Sequence, residues 1–314
     1  MAKVSHSGRG QRAQALTCGQ LLRQGARRLQ RARLHYGHGT ETALDDAAAL
    51  LAHARRLQRP LLAKDLARPV TVTAQLRFAA LLERRIRERV PAVYLTRRCW
   101  FAGLPLYIDA RVLIPRSPIA ELIARQFAPW VKPQAVRQIA DLGTGSGCIA
   151  LACARAFPAA RVDAVDLSPD ALEVARINRA ALGLTRRVRL VQSDFFEALA
   201  GRRYDIIVSN PPYVGTAEFN GLPPEYRHEP VAALRSGKDG MDAVRVLLRN
   251  AAEHLTPQGV LIVEVGNTET SVRRAFPQLP FFWLSFTQGG GGVFLLTATA
   301  LQSAAAVLRS NGVR

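Results

Sequence analysis

From Gln138 onward the sequence alternates short apolar runs with helical patterns, and this alternation limits the fold more than any other feature. Runs of strand length occur at 138–142, 162–166, 188–192, 204–209 and 260–265. Helical patterns lie between them, at about 146–157, 169–182 and 240–255. Apolar strands that alternate with helices predict an open, mostly parallel sheet covered on both faces. Two further runs, 281–286 and 293–297, are joined by glycines without a helix, so we expect them to be antiparallel.

The chain before this region has a different pattern. Residues 16–89 have helical periodicity, with Thr42 predicted to cap a helix from Ala43 to about Leu57 and Thr73 to cap a later one. Pro91 is expected to end the helical region. A hairpin linker with short strands is predicted next, at 92–95, 99–101, 106–108 and 112–114. Pro118 should then begin a helix over 119–127.

Composition excludes several classes of protein. Hydrophobic residues make up 48% of the 314, enough for a real core, and no apolar run approaches the roughly 18 residues of a spanning helix. The four cysteines and six histidines have no spacing typical of a disulfide scaffold or a metal site. The N-terminus lacks the apolar core of a secretory signal. We therefore expect a cytoplasmic protein without a metal and without a membrane segment.

The charge is unevenly distributed. The net charge is +19, and residues 1–100 carry 20 basic and 6 acidic side chains, whereas residues 101–314 carry 23 and 18. This asymmetry is typical of a polyanion-facing segment attached to a near-neutral globular part. The alternative is compositional bias, since only four of the basic residues are lysine and the chain is rich in arginine and alanine.

Two motifs indicate a nucleotide-like ligand. The first is the loop 141–147, Asp-Leu-Gly-Thr-Gly-Ser-Gly, between the first strand and its helix, where glycine lets the backbone approach a ligand closely. The second is Asp166, which ends the second strand and can accept hydrogen bonds from both ribose hydroxyls. NAD, FAD and S-adenosylmethionine would all suit these residues, and an ordinary tight turn is the alternative.

Two further motifs follow the third and fourth strands. Asp194 can accept from an adenine amino group and Phe195 can cover the ring, although an ordinary turn with a core phenylalanine fits as well. Residues 209–213 read Ser-Asn-Pro-Pro-Tyr, the most specific signal in the chain. The prolines fix a rigid turn, so the Asn210 side-chain oxygen and the Pro211 carbonyl could both accept from a planar NH2 group, with Tyr213 packed beside it. Such a clamp would orient the nitrogen lone pair for reaction.

The loop 141–147 together with the Asn-Pro-Pro-Tyr motif at 210–213 resembles the motifs of the class I adenosylmethionine-dependent methyltransferases that modify amino groups. Segments 112–116, 193–196 and 229–234 narrow the resemblance to the protein-glutamine N5-methyltransferases. The release-factor branch of that family usually continues its Pro-Arg with Pro-x-Thr-Glu, whereas this chain continues Arg116 with Ser117-Pro118. The branch that methylates the third large-subunit ribosomal protein is the better match over residues 16–298, as is shown by segments 36–40, 89–96, 263–267 and 291–296.

The resemblance implies an architecture and a set of roles. It implies a Rossmann-like α/β domain with a seven-stranded, mostly parallel sheet and a C-terminal antiparallel hairpin, preceded by a small helical domain and a β-hairpin linker. The expected boundaries are 1–90 for a basic docking domain (1–15 a floppy arm), 91–117 for the linker, 118–300 for the catalytic domain and 301–314 for a tail. Residues expected to bind S-adenosylmethionine are Asp141, Gly143, Gly145, Gly147, Asp166, Asp194, Phe195 and Asn210. Those expected to hold the glutamine amide are Asn210, Pro211, Pro212 and Tyr213, of which all but Pro212 are expected to act in catalysis.

Alternative functions remain open from the sequence. They are release-factor glutamine methylation, methylation of a nucleic-acid amino group such as adenine N6, and a ribosome-assembly factor that binds S-adenosylmethionine without transferring its methyl group. The basic N-terminal helices favour docking to the ribosomal protein within an rRNA-containing assembly intermediate. A free ribosomal protein is itself basic, so rRNA would have to supply the attraction.

Overall fold

The computed structural model describes residues 16–287 and 289–310, so the predicted floppy arm at 1–15 lies outside the described residues. The chain divides into two compact units, Met1–Thr96 and Arg97–Arg314. The first is helical. Its helices are α1 (Cys18–Arg31), α2 (Ala43–Ala54), α3 (Val72–Arg87) and α4 (Ala92–Thr96).

Local sequence signals explain where the first two helices begin. Thr17 and Thr42 each accept a hydrogen bond from a backbone N–H of the first turn, and the third helical residue bonds back to the cap. The cap predicted at Thr42 is confirmed, and α2 ends at Ala54 rather than near Leu57. The helices pack closely because Gly25 on α1 has no side chain. A Cβ there would lie 2.6 Å from Cζ of Phe78.

A buried ion pair joins two of these helices. Asp46 on α2 and Arg85 on α3 are both almost fully buried, with 2.7 Å between Oδ2 and Nε. Arg85 also donates to the His35 carbonyl at 2.8 Å, and the Thr40 hydroxyl donates to Asp46 at 2.6 Å. The pair therefore fixes residues 35–40 as well as both helices, and it places two buried charges inside the small unit.

The predicted start of the third helix was wrong by two residues. The helix begins after Thr71, whose side chain accepts from the N–H of Ala74 at 3.3 Å, so Thr73 lies inside the first turn. Thr71 and Thr73 are equally suitable as caps. The apolar residues nearby do not show where the buried face of the helix begins, because Val72 and Leu76 are exposed.

The strand predicted at 92–95 was also wrong, because α4 occupies Ala92–Thr96. Pro91 therefore begins a helical turn instead of ending the helical region. Its carbonyl accepts from the N–H groups of Tyr94 and Leu95, and a proline at a helix start leaves no needed donor missing. All five residues of α4 are buried. The sequence therefore lacks the pattern of polar and apolar residues that would distinguish a helix from a strand here.

The second unit begins with an antiparallel hairpin, β1 (Arg98–Phe101) and β2 (Leu104–Tyr107), which confirms two of the predicted linker strands. The strand predicted at 112–114 is absent. The Ile114 N–H donates to the Glu229 side chain and its carbonyl accepts from Arg116, so side chains satisfy this backbone in place of a neighbouring strand. The following helix, α5 (Ile119–Ala124), is shorter than predicted.

The rest of the unit is built on a seven-stranded sheet, as predicted. Its strands are β3 (Gln138–Leu142), β4 (Arg161–Asp166), β5 (Val188–Gln192), β6 (Tyr204–Ser209), β7 (Leu255–Glu264), β8 (Phe282–Trp283) and β9 (Val293–Thr297). The helices around it are α6 (Cys148–Ala156), α7 (Pro169–Ala181), α8 (Thr216–Asn220), α9 (Asp242–His254), α10 (Glu269–Ala275) and α11 (Ala298–Ser310).

The strand order is β5-β4-β3-β6-β7-β9-β8. Strands β3 to β7 pair in parallel, and β9 pairs antiparallel with both β7 and β8, which confirms the C-terminal hairpin. The order reverses between β3 and β6. In open parallel sheets, ligands bind beyond the carboxyl ends of the strands at such a reversal.

The predicted tail after residue 300 is largely helical. Helix α11 packs against α9 and β7, and Leu301 and Leu308 are buried there. The small residues between these two leucines gave the segment little apolar character in the sequence. This segment therefore belongs to the fold of the second unit.

Candidate functional site

A cavity of about 290 Å³ opens at the reversal point of the sheet. Its lining comes from the loops that follow β3, β4, β5 and β6, from the segment 111–117, and from Pro230, Ala232 and Ala233. Of the residues predicted to bind cofactor or substrate, those on the lining are Gly143, Gly145, Asp166, Asp194, Phe195, Asn210 and Pro212. Four separate motifs of the sequence thus meet at one cavity within the second unit.

The glycine loop forms one wall of this cavity. Gly143, Gly145 and Gly147 all have positive φ, between +54° and +82°, which side-chain-bearing residues rarely adopt. A Cβ on Gly145 would meet nothing within 4 Å, so the loop leaves open space there. A Cβ on Gly147 would instead lie 3.2 Å from Ala175 Cβ. Gly145 therefore provides room for a ligand, whereas Gly147 serves the packing of α6 against α7.

Asp166 presents a carboxylate to the cavity. Its oxygens accept from the backbone N–H of Gly145 at 2.8 Å and of Ser168 at 2.9 Å, so the side chain is held in place. Burial nevertheless raises the pKa of Asp166 above its usual range, because these hydrogen bonds offset only part of the lost hydration. A ligand with hydroxyl groups could donate further hydrogen bonds to the Asp166 carboxylate and so replace the hydration that it loses on burial.

Asp141 lies beneath the loop and not on the cavity lining. One oxygen accepts from the Thr144 hydroxyl at 2.5 Å and from the Ala150 N–H at 2.9 Å. The other oxygen, Oδ1, is buried without a hydrogen-bond partner, and burial raises the pKa of Asp141 to about 7. In the structure Asp141 holds the loop and the start of α6.

Asp194 and Phe195 are both on the lining, beyond the end of β5. Phe195 has φ +43°, a left-handed conformation that costs energy in a residue with a side chain. Phe196 is buried in the hydrophobic core, and Phe195 is partly buried against the same core. Phe195 therefore contributes both to the cavity lining and to the packing of the core.

The Asn-Pro-Pro-Tyr turn is fixed from behind. The Ser209 hydroxyl donates to the Leu142 carbonyl at 2.6 Å, and Thr268 donates to the Tyr213 carbonyl at 2.7 Å. Asn210 and Pro212 reach the cavity, whereas Pro211 and Tyr213 are not on its lining. The Tyr213 hydroxyl donates to Oε1 of Glu264 at 3.4 Å.

Two buried carboxylates near the cavity, Glu229 and Glu264, lie in segments that carry the family resemblance. The sequence predicted no role for either of them. Glu229 forms a two-point ion pair with Arg116, with both N–O distances 2.6 Å. Glu264 accepts from the Ser117 hydroxyl at 2.5 Å. Their partners are 113 and 147 residues away in the chain, so no local pattern could pair them.

Burial raises the pKa of Glu264 to about 7, against the opposing effects of Ser117, Tyr213 and Arg116. A carboxyl whose pKa is raised by folding stabilises the fold fully below its unfolded value of 4.5, and this contribution is lost as the pH rises through 7. We expect Glu264→Gln to remove this dependence. The difference in unfolding free energy between wild type and variant should shift by roughly 2–3 kcal/mol between pH 4.5 and 7.5.

Chemical denaturation at several pH values measures this shift. Glu253→Gln, at an exposed carboxyl on α9, is the control and should give a nearly constant difference from wild type. A constant difference for Glu264→Gln would show that folding does not raise the pKa of Glu264.

Other classes of site are not seen in the part of the chain that the structure describes. Within residues 16–287 and 289–310, no three His, Cys, Asp or Glu side chains are grouped so that they could hold a metal ion. Among the same residues, no helix has the length and apolar character to cross a membrane. The four cysteines are free thiols, three of them buried.

Comparisons with known proteins agree with this geometry. Residues 122–221 match the family described as the Methyltransferase small domain, and residues 20–96 match the PrmC N-terminal domain. The "Ribosomal protein uL3 glutamine methyltransferase" of Neisseria meningitidis serogroup B is 46% identical over 293 residues, covering 93% of this chain and 96% of that protein. The chain belongs to the ribosomal protein uL3 glutamine methyltransferase family.

A second member of this family, from Xylella fastidiosa, is 47% identical and covers 90% of each chain. Among solved structures, the hMettl16 catalytic domain in complex with an RNA hairpin superposes with a TM-score of 0.53 at 14% identity, covering 81% of this chain and 91% of that one. At that identity the likeness concerns the fold alone. The class I methyltransferase architecture and the glutamine methyltransferase resemblance are thus confirmed.

Proposed function

We propose that this protein transfers the methyl group of S-adenosylmethionine to the side-chain nitrogen of a glutamine in ribosomal protein uL3. The observation that carries the proposal is the position of Asn210, on the cavity lining beside the glycine loop. A Cβ added to Gly143 would lie only 3.9 Å from the Asn210 carbonyl oxygen, so the two motifs are adjacent. The names of relatives at 44–47% identity supply the target protein.

The cavity fits the proposed cofactor. Its volume is near the lower end of the range of small-molecule sites. Gly145 leaves open space in front of the loop, Asp166 offers acceptors to a ribose, and Asp194 with Phe195 offers an acceptor and a ring to adenine. When bound, S-adenosylmethionine supplies a methyl group already activated by its sulfonium.

The protein's own part is to hold the acceptor nitrogen. An amide nitrogen is a poor nucleophile because its lone pair is delocalised into the carbonyl. The Asn210 side-chain oxygen and the Pro211 carbonyl would accept its two hydrogens and so orient the lone pair. Ser209 and Thr268 fix this turn from behind, so the acceptors need no rearrangement when the substrate arrives.

Replacing Asp166 tests the cofactor assignment. We expect Asp166→Ala to weaken S-adenosylmethionine binding by about 1.5–3 kcal/mol, because hydrogen bonds to a charged acceptor are lost. Isothermal titration calorimetry measures the change. Asp170→Ala on the first turn of α7 is a matched control and should bind normally. Binding of NADH but not of S-adenosylmethionine by the wild type would refute the assignment.

The target is tested by mass spectrometry of ribosomal proteins from cells that lack the gene. We expect uL3 to lose one glutamine methylation and to regain it on incubation with purified enzyme and S-adenosylmethionine. Release factors and adenine-containing oligonucleotides, offered in parallel, test the two alternative acceptors. Methylation of either one, with none of uL3, would replace the proposed function.

We also propose that the helical unit docks on an rRNA-containing assembly intermediate in the cytoplasm. The support is charge: Arg23, Arg27, Arg31 and Arg33 are exposed on and after α1. Each phosphate contact contributes about −0.7 to −0.9 to the slope of log K against log salt. Reversing these four arginines to glutamate should therefore weaken binding to the intermediate and flatten the slope.

Filter binding across a salt series measures this effect. A variant with Arg155, Arg161, Arg186 and Arg274 of the second unit reversed, all four exposed, is the control for overall charge. Superimposable curves for wild type and the helical-unit variant would show that the arginines are ordinary surface residues. Cofactor affinity should stay the same in both variants.

A further inference from the structure

Two segments that line the cavity are joined by one buried side chain. The segment 111–117 lines one side of the cavity, and the turn 209–213 carries Asn210 to it. Glu264, at the end of β7, accepts from Ser117 of the first segment through Oε2 at 2.5 Å. Its other oxygen, Oε1, is 3.4 Å from the Tyr213 hydroxyl of the second. We call these three residues the Glu264 bridge.

The position of Glu264 follows from the sheet. Strand β7 lies beside β6 in parallel, with Val263 opposite Ser209, so the next residue of each strand emerges at the same edge. Glu264 therefore lies next to the start of the Asn-Pro-Pro-Tyr turn and is only 4% exposed. A carboxyl in that position is stable only with hydrogen-bond donors, and the two donors, Ser117 and Tyr213, belong to the two segments that contribute residues to the lining.

The surroundings leave Tyr213 little freedom. Gly266 has φ +47°, and a Cβ there would lie 2.7 Å from Cε2 of the Tyr213 ring. Thr268 holds its carbonyl. Burial raises the pKa of Tyr213 above its usual range, so the hydroxyl keeps its proton and can donate to Glu264.

Ser117 is the least expected member of the bridge. Besides donating to Glu264, its hydroxyl accepts from the Ile119 N–H at 3.2 Å and so starts α5. Ser117 therefore serves both the bridge and the first turn of α5.

We propose that Glu264 is a positioning residue, which through Ser117 and Tyr213 fixes the separation between segment 111–117 and the turn that carries Asn210. This inference rests on the proposed function, because the object positioned is the glutamine amide. Glu264 is not on the cavity lining. The Arg116–Glu229 ion pair ties the same segment to residue 229.

Single substitutions test each end of the bridge. Ser117→Ala and Tyr213→Phe each remove one hydrogen bond to a buried carboxyl, and we expect kcat on uL3 to fall by about tenfold or more. The Kd for S-adenosylmethionine and the Kd for uL3 should stay within about twofold, because positioning affects the reacting geometry and not the gross binding. Glu264→Ala should reduce kcat by at least as much as either.

Two comparisons separate positioning from a structural role. Glu264→Gln keeps an acceptor for Ser117 and a polar group for Tyr213, so kcat should return to within about threefold of wild type. In a Glu264→Ala background, adding Ser117→Ala should cause little further loss of kcat, because the hydrogen bond between the two residues has already been removed. Tyr204→Phe is the matched control. It removes a buried hydroxyl bonded to Asp163 at the far end of β6, and kcat should not change.

The results distinguish the two hypotheses. If wild type methylates no glutamine of uL3, the proposed function fails before the bridge is tested. If wild type is active and the bridge variants retain normal kcat, the positioning role is refuted. It is refuted equally if Glu264→Gln is as inactive as Glu264→Ala, or if the losses of Ser117→Ala and Glu264→Ala add in full.

Discussion

Asn210→Ala should reduce turnover on uL3 by roughly 10²–10³, the usual cost of removing one oriented polar group from a transition state. Asn210 is on the cavity lining, whereas the backbone of the turn is held independently by Ser209 and Thr268. The substitution therefore removes the acceptor without releasing the turn. Single-turnover kinetics with enzyme in excess measures the chemical step directly.

Cofactor binding provides the first control for this variant. The Kd for S-adenosylmethionine should change much less than turnover, because Asp166 and the glycine loop, which supply the proposed cofactor contacts, are unchanged in this variant. Asn250→Ala is a matched variant on α9, where the amide donates to the Val246 carbonyl, and it should retain full activity. Near-normal turnover of Asn210→Ala would mean that other residues hold the amide.

Asp46→Ala should destabilise the helical unit by about 3–5 kcal/mol, the range observed when one partner of a buried ion pair is removed. Arg85 would remain 1% exposed without the Asp46 carboxylate, and the Thr40 hydroxyl would lose its acceptor. Hydrogen exchange measures the effect best, since amides of residues 16–96 can be followed separately from the sheet. Their protection should fall while that of β3 to β7 is retained.

Two further variants show whether burial is the cause. Glu83→Ala removes an ion pair to Arg28 whose two side chains are about half exposed, and it should cost at most about 1 kcal/mol. Asp46→Leu combined with Arg85→Met removes both charges and should recover much of the loss. If Asp46→Ala and Glu83→Ala destabilised the helical unit equally, the buried ion pair would contribute no more to stability than the exposed one.

The elements predicted well are those whose signals are local. Strands β3, β5, β6 and β9 have the predicted bounds because each is an apolar run between clear turns. Asp166 and Asn210 were found because each ends such a strand and the carboxyl ends of parallel strands share an edge. Asp166 and Asn210 lie at one cavity because the sheet is parallel, and the alternation of strands and helices in the sequence already predicted a parallel sheet.

The errors concern segments whose structure depends on distant partners. Residues 112–114 look like a strand, but the carboxylate of Glu229 takes the Ile114 N–H. The roles of Ser117 and Glu264 were missed because the two residues meet only when β7 is in place. Side-chain partners that are more than 100 residues apart leave no periodic signal in a sequence.

The order of the last three strands restricts how the sheet can assemble. Strand β9 lies between β7 and β8, so β8 has no neighbour in the sheet until residues that follow it in the chain have been added. Folding of this edge must therefore proceed against the direction of synthesis. A ribosome-bound chain that has emerged only as far as β8 would expose the apolar edge of β7, which makes that stage of synthesis the one most prone to aggregation.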